Sequence, residues 1–144
     1  MDNIIECIKH RGFQHCESIL RNYSGNDYLT YVALNPDTYN RTRVFSNDEF
    51  EIFVITWNKL QQSNIHDHSE NGCYMLLLQG ELVEEMYSED ASLPIQTTTF
   101  KKGNVSYIDN TIGYHRILNK SADVAVSLHI YSPPNHQTRI MNKN

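Results

Sequence analysis

The sequence predicts an all-β-dominated domain, an antiparallel sandwich or barrel preceded by short helices. Three observations carry that expectation. From residue 50 onward, short runs rich in β-branched and aromatic side chains follow one another at close intervals. Turn-forming residues separate the runs. No apolar stretch approaches the ~18–20 residues of a membrane span. The chain of 144 residues is close to the ~150 expected of one domain, and 1–144 is read as a single domain.

The elements are expected in this order. Residues 2–22 read as helical, because Ile4, Ile5 and Ile8 recur at helical spacing, Gly12 interrupts, and Cys16, Ile19 and Leu20 form a second stripe. This gives two short helices or one broken helix inside an N-terminal segment, 1–30. Turns follow at Ser24-Gly25-Asn26-Asp27 and Asn35-Pro36-Asp37. Strands are expected at 50–57, 74–78, 82–87, 95–100, 105–108, 115–118 and 124–131, within a β unit covering 41–134. Gln79-Gly80 reads as a hairpin turn. The tail, 135–144, is polar and expected to be loosely held.

Composition excludes several functions. Lys and Arg number 12 and Asp and Glu 17, for a formal charge of −5. An acidic chain with no basic cluster argues against nucleic acid or an anionic membrane surface as partner. Three cysteines, Cys7, Cys16 and Cys73, form neither a CxxC pair nor an even framework, so no structural disulfides are expected. Cys7 and Cys16 are expected to be buried or half-buried thiols on helices, and Trp57 to sit in the core. Met1-Asp2-Asn3 has no basic start and no apolar stretch follows it, so the location expected is cytoplasmic.

Seven histidines are present. His66 and His68 form an HxH pair in Ile65-His66-Asp67-His68; on a strand, residues two apart share a face, so both rings can reach one point. His115, which follows Gly113 and opens an expected strand, is a third candidate. Three neutral imidazoles can hold a divalent ion and leave coordination positions open. Ser127, His129 and Tyr131 also share one strand face, with Val126, Leu128 and Ile130 on the other. A polar face turned inward needs mutual hydrogen bonds. It is no Ser-His-Asp hydrolase site, since no acid is placed to orient His129.

The spacing is then telling. Gly80 follows His68 by twelve residues; His115 follows Gly103 by twelve and precedes Asn119 by four. This layout resembles the two motifs of a cupin, whose fold would be a small antiparallel β-barrel or jelly roll. Most cupins place a Glu beyond the HxH pair; here Glu70 comes too early and Cys73 stands in that place. Together with Leu78-Gln79-Gly80, the run from Tyr107 to Arg116 and the run Val126-Ser127-Leu128-His129-Ile130-Tyr131-Ser132-Pro133-Pro134, the sequence from Arg43 to Pro134 resembles the cysteine dioxygenase family.

That resemblance implies a chemistry. His66, His68 and His115 would ligate Fe(2+), leaving positions for the thiolate and amine of L-cysteine and for O2, and the product would be cysteine sulfinic acid. Arg43 would bind the substrate carboxylate bidentately. Many relatives carry a Tyr two residues before this Arg, where this chain has Arg41; either Tyr39 compensates or the contact differs. Ser127, His129 and Tyr131 would line the iron site, with the Tyr131 hydroxyl toward substrate. Cys73 and Tyr131 would form a thioether crosslink, the Ser132–Pro133 bond would be cis, and the protein would be a monomer. Alternatives are a dioxygenase of 3-mercaptopropionate or cysteamine, which Arg43 disfavours, and a non-enzymatic metal- or ligand-binding cupin.

Overall fold

Gly12 divides the N-terminal helical segment. The computed structural model describes residues 1–89 and 92–141. In it helix α1 (Asp2–Arg11) stops where Gly12 takes φ +93°, a conformation that a Cβ would strain. The Gly12 N–H donates to the Ile8 carbonyl at 2.8 Å and closes the last turn. A 3-10 turn (Phe13–His15) and a second helix, α2 (Glu17–Arg21), follow, so the helices are two. Cys7 is half-buried on α1, whereas buried Cys16 sits between the 3-10 turn and α2 rather than on a helix. Ile4, Ile5, Ile8, Phe13 and Leu20 pack with alternate residues of the first sheet; burying each such side chain contributes about 1.5–3 kcal/mol.

Among the described residues ten strands follow: β1 (Asn40–Ser46), β2 (Glu51–Trp57), β3 (Ile65–His66), β4 (Cys73–Gln79), β5 (Glu81–Tyr87), β6 (Gln96–Lys101), β7 (Val105–Ile108), β8 (Tyr114–Leu118), β9 (Ala125–Tyr131) and β10 (Ile140–Met141). They form two five-stranded sheets, ordered β1-β2-β9-β4-β7 and β10-β3-β8-β5-β6. Among the described residues no ladder joins the two sheets, so the domain is an open two-sheet jelly roll and not a closed barrel. The seven expected strands are present. Strand β1 and the two-residue strands β3 and β10 were not expected, because so short or so polar a run has no visible period.

Gly80 is not a hairpin turn. Strands β4 and β5 belong to different sheets, and Gly80 (φ +78°) is the corner where the chain crosses between them. A Cβ there would stand 2.7 Å from the Val124 carbonyl oxygen, so the crossing requires glycine.

The alternation in β9 separates two cores. Val126, Leu128 and Ile130 join the helix-side cluster. The other face looks between the sheets, where Ile55, Trp57, Met75, Leu77, Leu82, Phe100, Ile117 and Ala125 pack together. Ser127, His129 and Tyr131 lie on that inner face, beside a cavity of about 160 Å3. The tail also departs from expectation, since Ile140 and Met141 pair with His66 and Ile65. Its anchors are backbone groups, which hydropathy does not register. Residues 142–144 of the expected tail lie outside the described residues. Among the described residues, no helix is long and apolar enough to cross a membrane.

Candidate active site

Strand pairing builds the histidine cluster. In the β3–β8 pair, His66 stands directly opposite His115, which brings their ring centroids to 4.6 Å. His68 lies beyond the end of β3, so strand alternation alone does not aim it. Asn110 does: its amide donates to the His68 carbonyl at 3.1 Å, and the His68 N–H donates to its oxygen at 2.9 Å. The His68 ring then lies 4.4 Å from that of His115. One nitrogen from each of the three rings falls within 4.8 Å of the others.

Hydrogen bonds set which nitrogens are bare. His66 Nδ1 faces the Asn64 carbonyl at 2.6 Å. A carbonyl only accepts, so Nδ1 carries the proton and Nε2 is a lone pair. His115 Nδ1 faces Glu84 Oε2 at 2.8 Å, which leaves His115 Nε2 bare by the same logic. Those two Nε2 atoms stand 3.1 Å apart. Among the described residues, both ring nitrogens of buried His68 lack a hydrogen-bond partner. Lone pairs crowded together in a buried site are costly unless a cation lies among them. The donor set, three imidazoles with a carboxylate behind one of them, fits a divalent transition metal.

The electrostatics agree. Burial lowers the pKa of His66. Burial, and then the neighbouring imidazoles His115 and His66, takes His68 down to about 2. His115 is also pushed well down, by burial and then by His66. All three are therefore neutral and free to ligate. Burial pushes Glu84 up to about 7; its hydrogen bond with His115 joins two buried side chains.

A second string of polar groups runs along β9. Trp57 Nε1–H donates to Ser127 Oγ at 2.9 Å. An indole can only donate, so Ser127 Oγ accepts from it; that oxygen lies 2.7 Å from His129 Nε2 and can turn its own proton toward it. His129 then carries its proton on Nδ1, which lies 3.4 Å from Tyr131 Oη and 4.0 Å from Cys73 Sγ. Burial, followed by the charge of Arg41, holds His129 well below its usual pKa. The Tyr131 hydroxyl is pushed up by burial and by Cys73, with Arg41 pulling it back. Burial likewise raises the Cys73 thiol. Trp57 is buried as expected, but it is also a wall of the cavity and the donor that heads this string.

The arginine that lines the cavity is Arg41, and Arg43 does not reach it. Arg41 lines the cavity with the three histidines, His129 and Tyr131. Its guanidinium lies over Phe53 at 4.2 Å and near Tyr131 at 5.7 Å from the ring centroids. Both arginines are exposed on β1, and Arg43 is not among the cavity residues. The two arginines share a strand face, opposite Ile55 and Phe53 of β2, so alternation does not separate them. A step of two residues, ~7 Å along the strand, carries Arg43 past the cavity. Tyr39 also lines it and stacks on Trp57 at 4.6 Å.

Sequence reasoning did not find Glu84 or Asn110. A signal for Glu84 existed: Glu84-Glu85 sits in a strand where successive residues face opposite ways, so one acid must turn inward. Glu85 takes the outer side and pairs with Arg116. Asn110 acts across two loops and leaves no local signature. Glu70 is exposed.

The family model "Cysteine dioxygenase type I" matches residues 9–144. The chain is 31% identical over 130 residues to cysteine dioxygenase type 1 of Rattus norvegicus, covering 84% of this chain and 65% of that protein. It is 28% identical over 140 residues to the Danio rerio protein of that name, covering 90% and 70%. This chain thus spans about two-thirds of the length of those relatives. Among solved structures, a Klebsiella pneumoniae protein with a double-stranded β-helix domain superposes with a TM-score of 0.69 at 15% identity, covering 85% of this chain and 94% of that one. A cupin superfamily protein of Desulfitobacterium hafniense gives 0.61 at 14%, covering 77% and 92%. The fold is that of a cupin, and by its family match the chain belongs to the cysteine dioxygenase type I family.

Proposed function

We propose that this chain is an iron-dependent thiol dioxygenase that converts L-cysteine and O2 to cysteine sulfinic acid. The observation that carries this reading is one small cavity holding three bare imidazole nitrogens at one side and a guanidinium at another. Its volume, about 160 Å3, is well below the ~300–1,000 Å3 of pockets for drug-sized ligands, and suits a molecule the size of an amino acid.

His66, His68 and His115 would hold the Fe(2+), whose chemistry when bound is to stabilise the thiolate and bring it together with O2. The chain's own groups do the rest. Arg41 offers the planar fork that grips a carboxylate and never loses its charge, so a thiol lacking a carboxylate, such as cysteamine, is disfavoured. His129 Nδ1–H hydrogen-bonds Tyr131 Oη, which frees the phenolic proton to point at the substrate. Ser127 and Trp57 keep His129 in that tautomer. Glu84 orients His115. Three free thiols support a reducing, cytoplasmic setting.

The test is direct. Purified protein loaded with Fe(2+) without oxygen is mixed with cysteine and isotopically heavy O2. Cysteine sulfinic acid carrying two heavy oxygens is the expected product. Cystine alone, or sulfinate with one heavy atom, contradicts the reading. A larger kcat/KM for 3-mercaptopropionate than for cysteine would move the assignment to that substrate.

A further inference from the structure

Residues 136–140 run along the cavity after Asn135 turns the chain at φ +62°. His136, Thr138 and Ile140 line it, yet all three are exposed on their other side. They form part of the wall between the cavity and bulk water. Two carboxylates hold this strap. At its start, the N–H of Asn135 donates to Oε2 of buried Glu51 at 2.8 Å. In its middle, Asp67 Oδ1 accepts from His136 Nε2 at 3.0 Å and from the Arg139 N–H at 2.6 Å. The Asp67 N–H in turn donates to the Arg139 carbonyl at 3.1 Å. Beyond this point Ile140 pairs with His66. Asp67 lies between two metal-cluster histidines in sequence, but its carboxylate is spent on the strap and is not part of the three-nitrogen cluster.

We propose that Asp67 is a positioning residue that latches residues 136–140 along the substrate cavity and so controls access to it. The acceptor is charged and takes two donors from the strap at once, the stronger class of hydrogen bond. Removing it frees the middle of a segment that has little apolar burial to hold it, which is the condition for local opening. Access to a cavity of this kind governs substrate retention and water exclusion. The effect on substrate rests on the dioxygenase reading above; the latch does not.

Arg139 gives a readout that needs no turnover, because trypsin cuts after it only when the strap opens. Full-length protein loaded with metal is digested briefly and the intact mass is followed. In Asp67→Ala, loss of residues 140–144 is expected at least tenfold faster than in the parent, with metal content unchanged. His136→Ala, which removes one of the two donors that Asp67 holds, should show the same direction more weakly. Steady-state kinetics should give a KM for cysteine raised about tenfold with kcat changed less than threefold. Equal cleavage rates at Arg139 in parent and Asp67→Ala overturn the latch, as does loss of metal from Asp67→Ala. Faster cleavage without any cysteine turnover, in parent and variant alike, upholds the latch and rejects the substrate.

Discussion

Cys73 and Tyr131 are cross-strand partners, set directly opposite each other in the antiparallel pair β4–β9. Both side chains belong to the inter-sheet face, and residues so placed have Cβ atoms ~4.5–5.5 Å apart. We predict a thioether between Cys73 Sγ and a ring carbon of Tyr131. Each residue gives up one hydrogen, and dioxygen accepts the two electrons. Protein turned over aerobically with Fe(2+) and cysteine should contain a species lighter by two hydrogens, and Cys73→Ala should not. An unchanged parent mass after extended turnover would discard the crosslink.

The position of the guanidinium yields a second prediction. Arg41→Gln removes the charged fork from the cavity while keeping a polar side chain. Hydrogen bonds to charged groups contribute about 1.5–3 kcal/mol, so KM for cysteine should rise roughly 10- to 100-fold, with metal retained. Arg43→Ala, at the exposed site one strand step away, should leave KM within about twofold. The reverse ranking would return the anchor to Arg43.

These two arginines show how far the sequence could be read. What depends on short-range spacing was visible: the HxH pair, the alternation of Ser127, His129 and Tyr131, and the seven strands with strong β composition. What depends on distance along a face was not, since Arg41 and Arg43 obey the same alternation and only the register with β2 separates them. Glu84 reaches His115 across strands, and Asn110 clamps His68 across loops; neither contact has a sequence period. The docked tail was hidden for another reason. Two of its three bonds to Asp67 and Glu51 use backbone N–H groups, which any non-proline residue supplies. Gly80 was recognised as a turn, but the change of sheet that it permits is a property of the whole topology.

Glu84 gives the third prediction. Its carboxylate accepts from His115 Nδ1 at 2.8 Å in a buried site, the arrangement that fixes a ligand's tautomer. Glu84→Gln can present its amide hydrogen instead of an acceptor and so favour the wrong tautomer of His115. Metal affinity should fall about 10- to 100-fold, measured by competition with a chromophoric chelator. His115→Ala should remove binding altogether while leaving the circular dichroism of the β fold intact. Unaltered affinity in Glu84→Gln would show that the ring is held by its packing alone.

The fourth prediction concerns the string headed by Trp57. Trp57→Phe keeps an aromatic ring in the inter-sheet core but deletes the N–H that occupies Ser127 Oγ. Ser127 can then rotate its proton away from His129 Nε2, the His129 tautomer is no longer imposed, and Tyr131 loses its fixed donor. Because Tyr131 acts on the reacting molecule while Arg41 binds it, kcat should fall about three- to tenfold with KM nearly unchanged. Stability loss from the smaller ring is read separately by thermal unfolding. If Trp57 works through Ser127, the two substitutions share one effect, and Trp57→Phe should cost little further kcat in a Ser127→Ala background. Residues coupled in one hydrogen-bond network are non-additive in this way. Fully additive losses would mean that the indole influences the site only by filling space against Tyr39, and the directed tautomer at His129 would have to be abandoned.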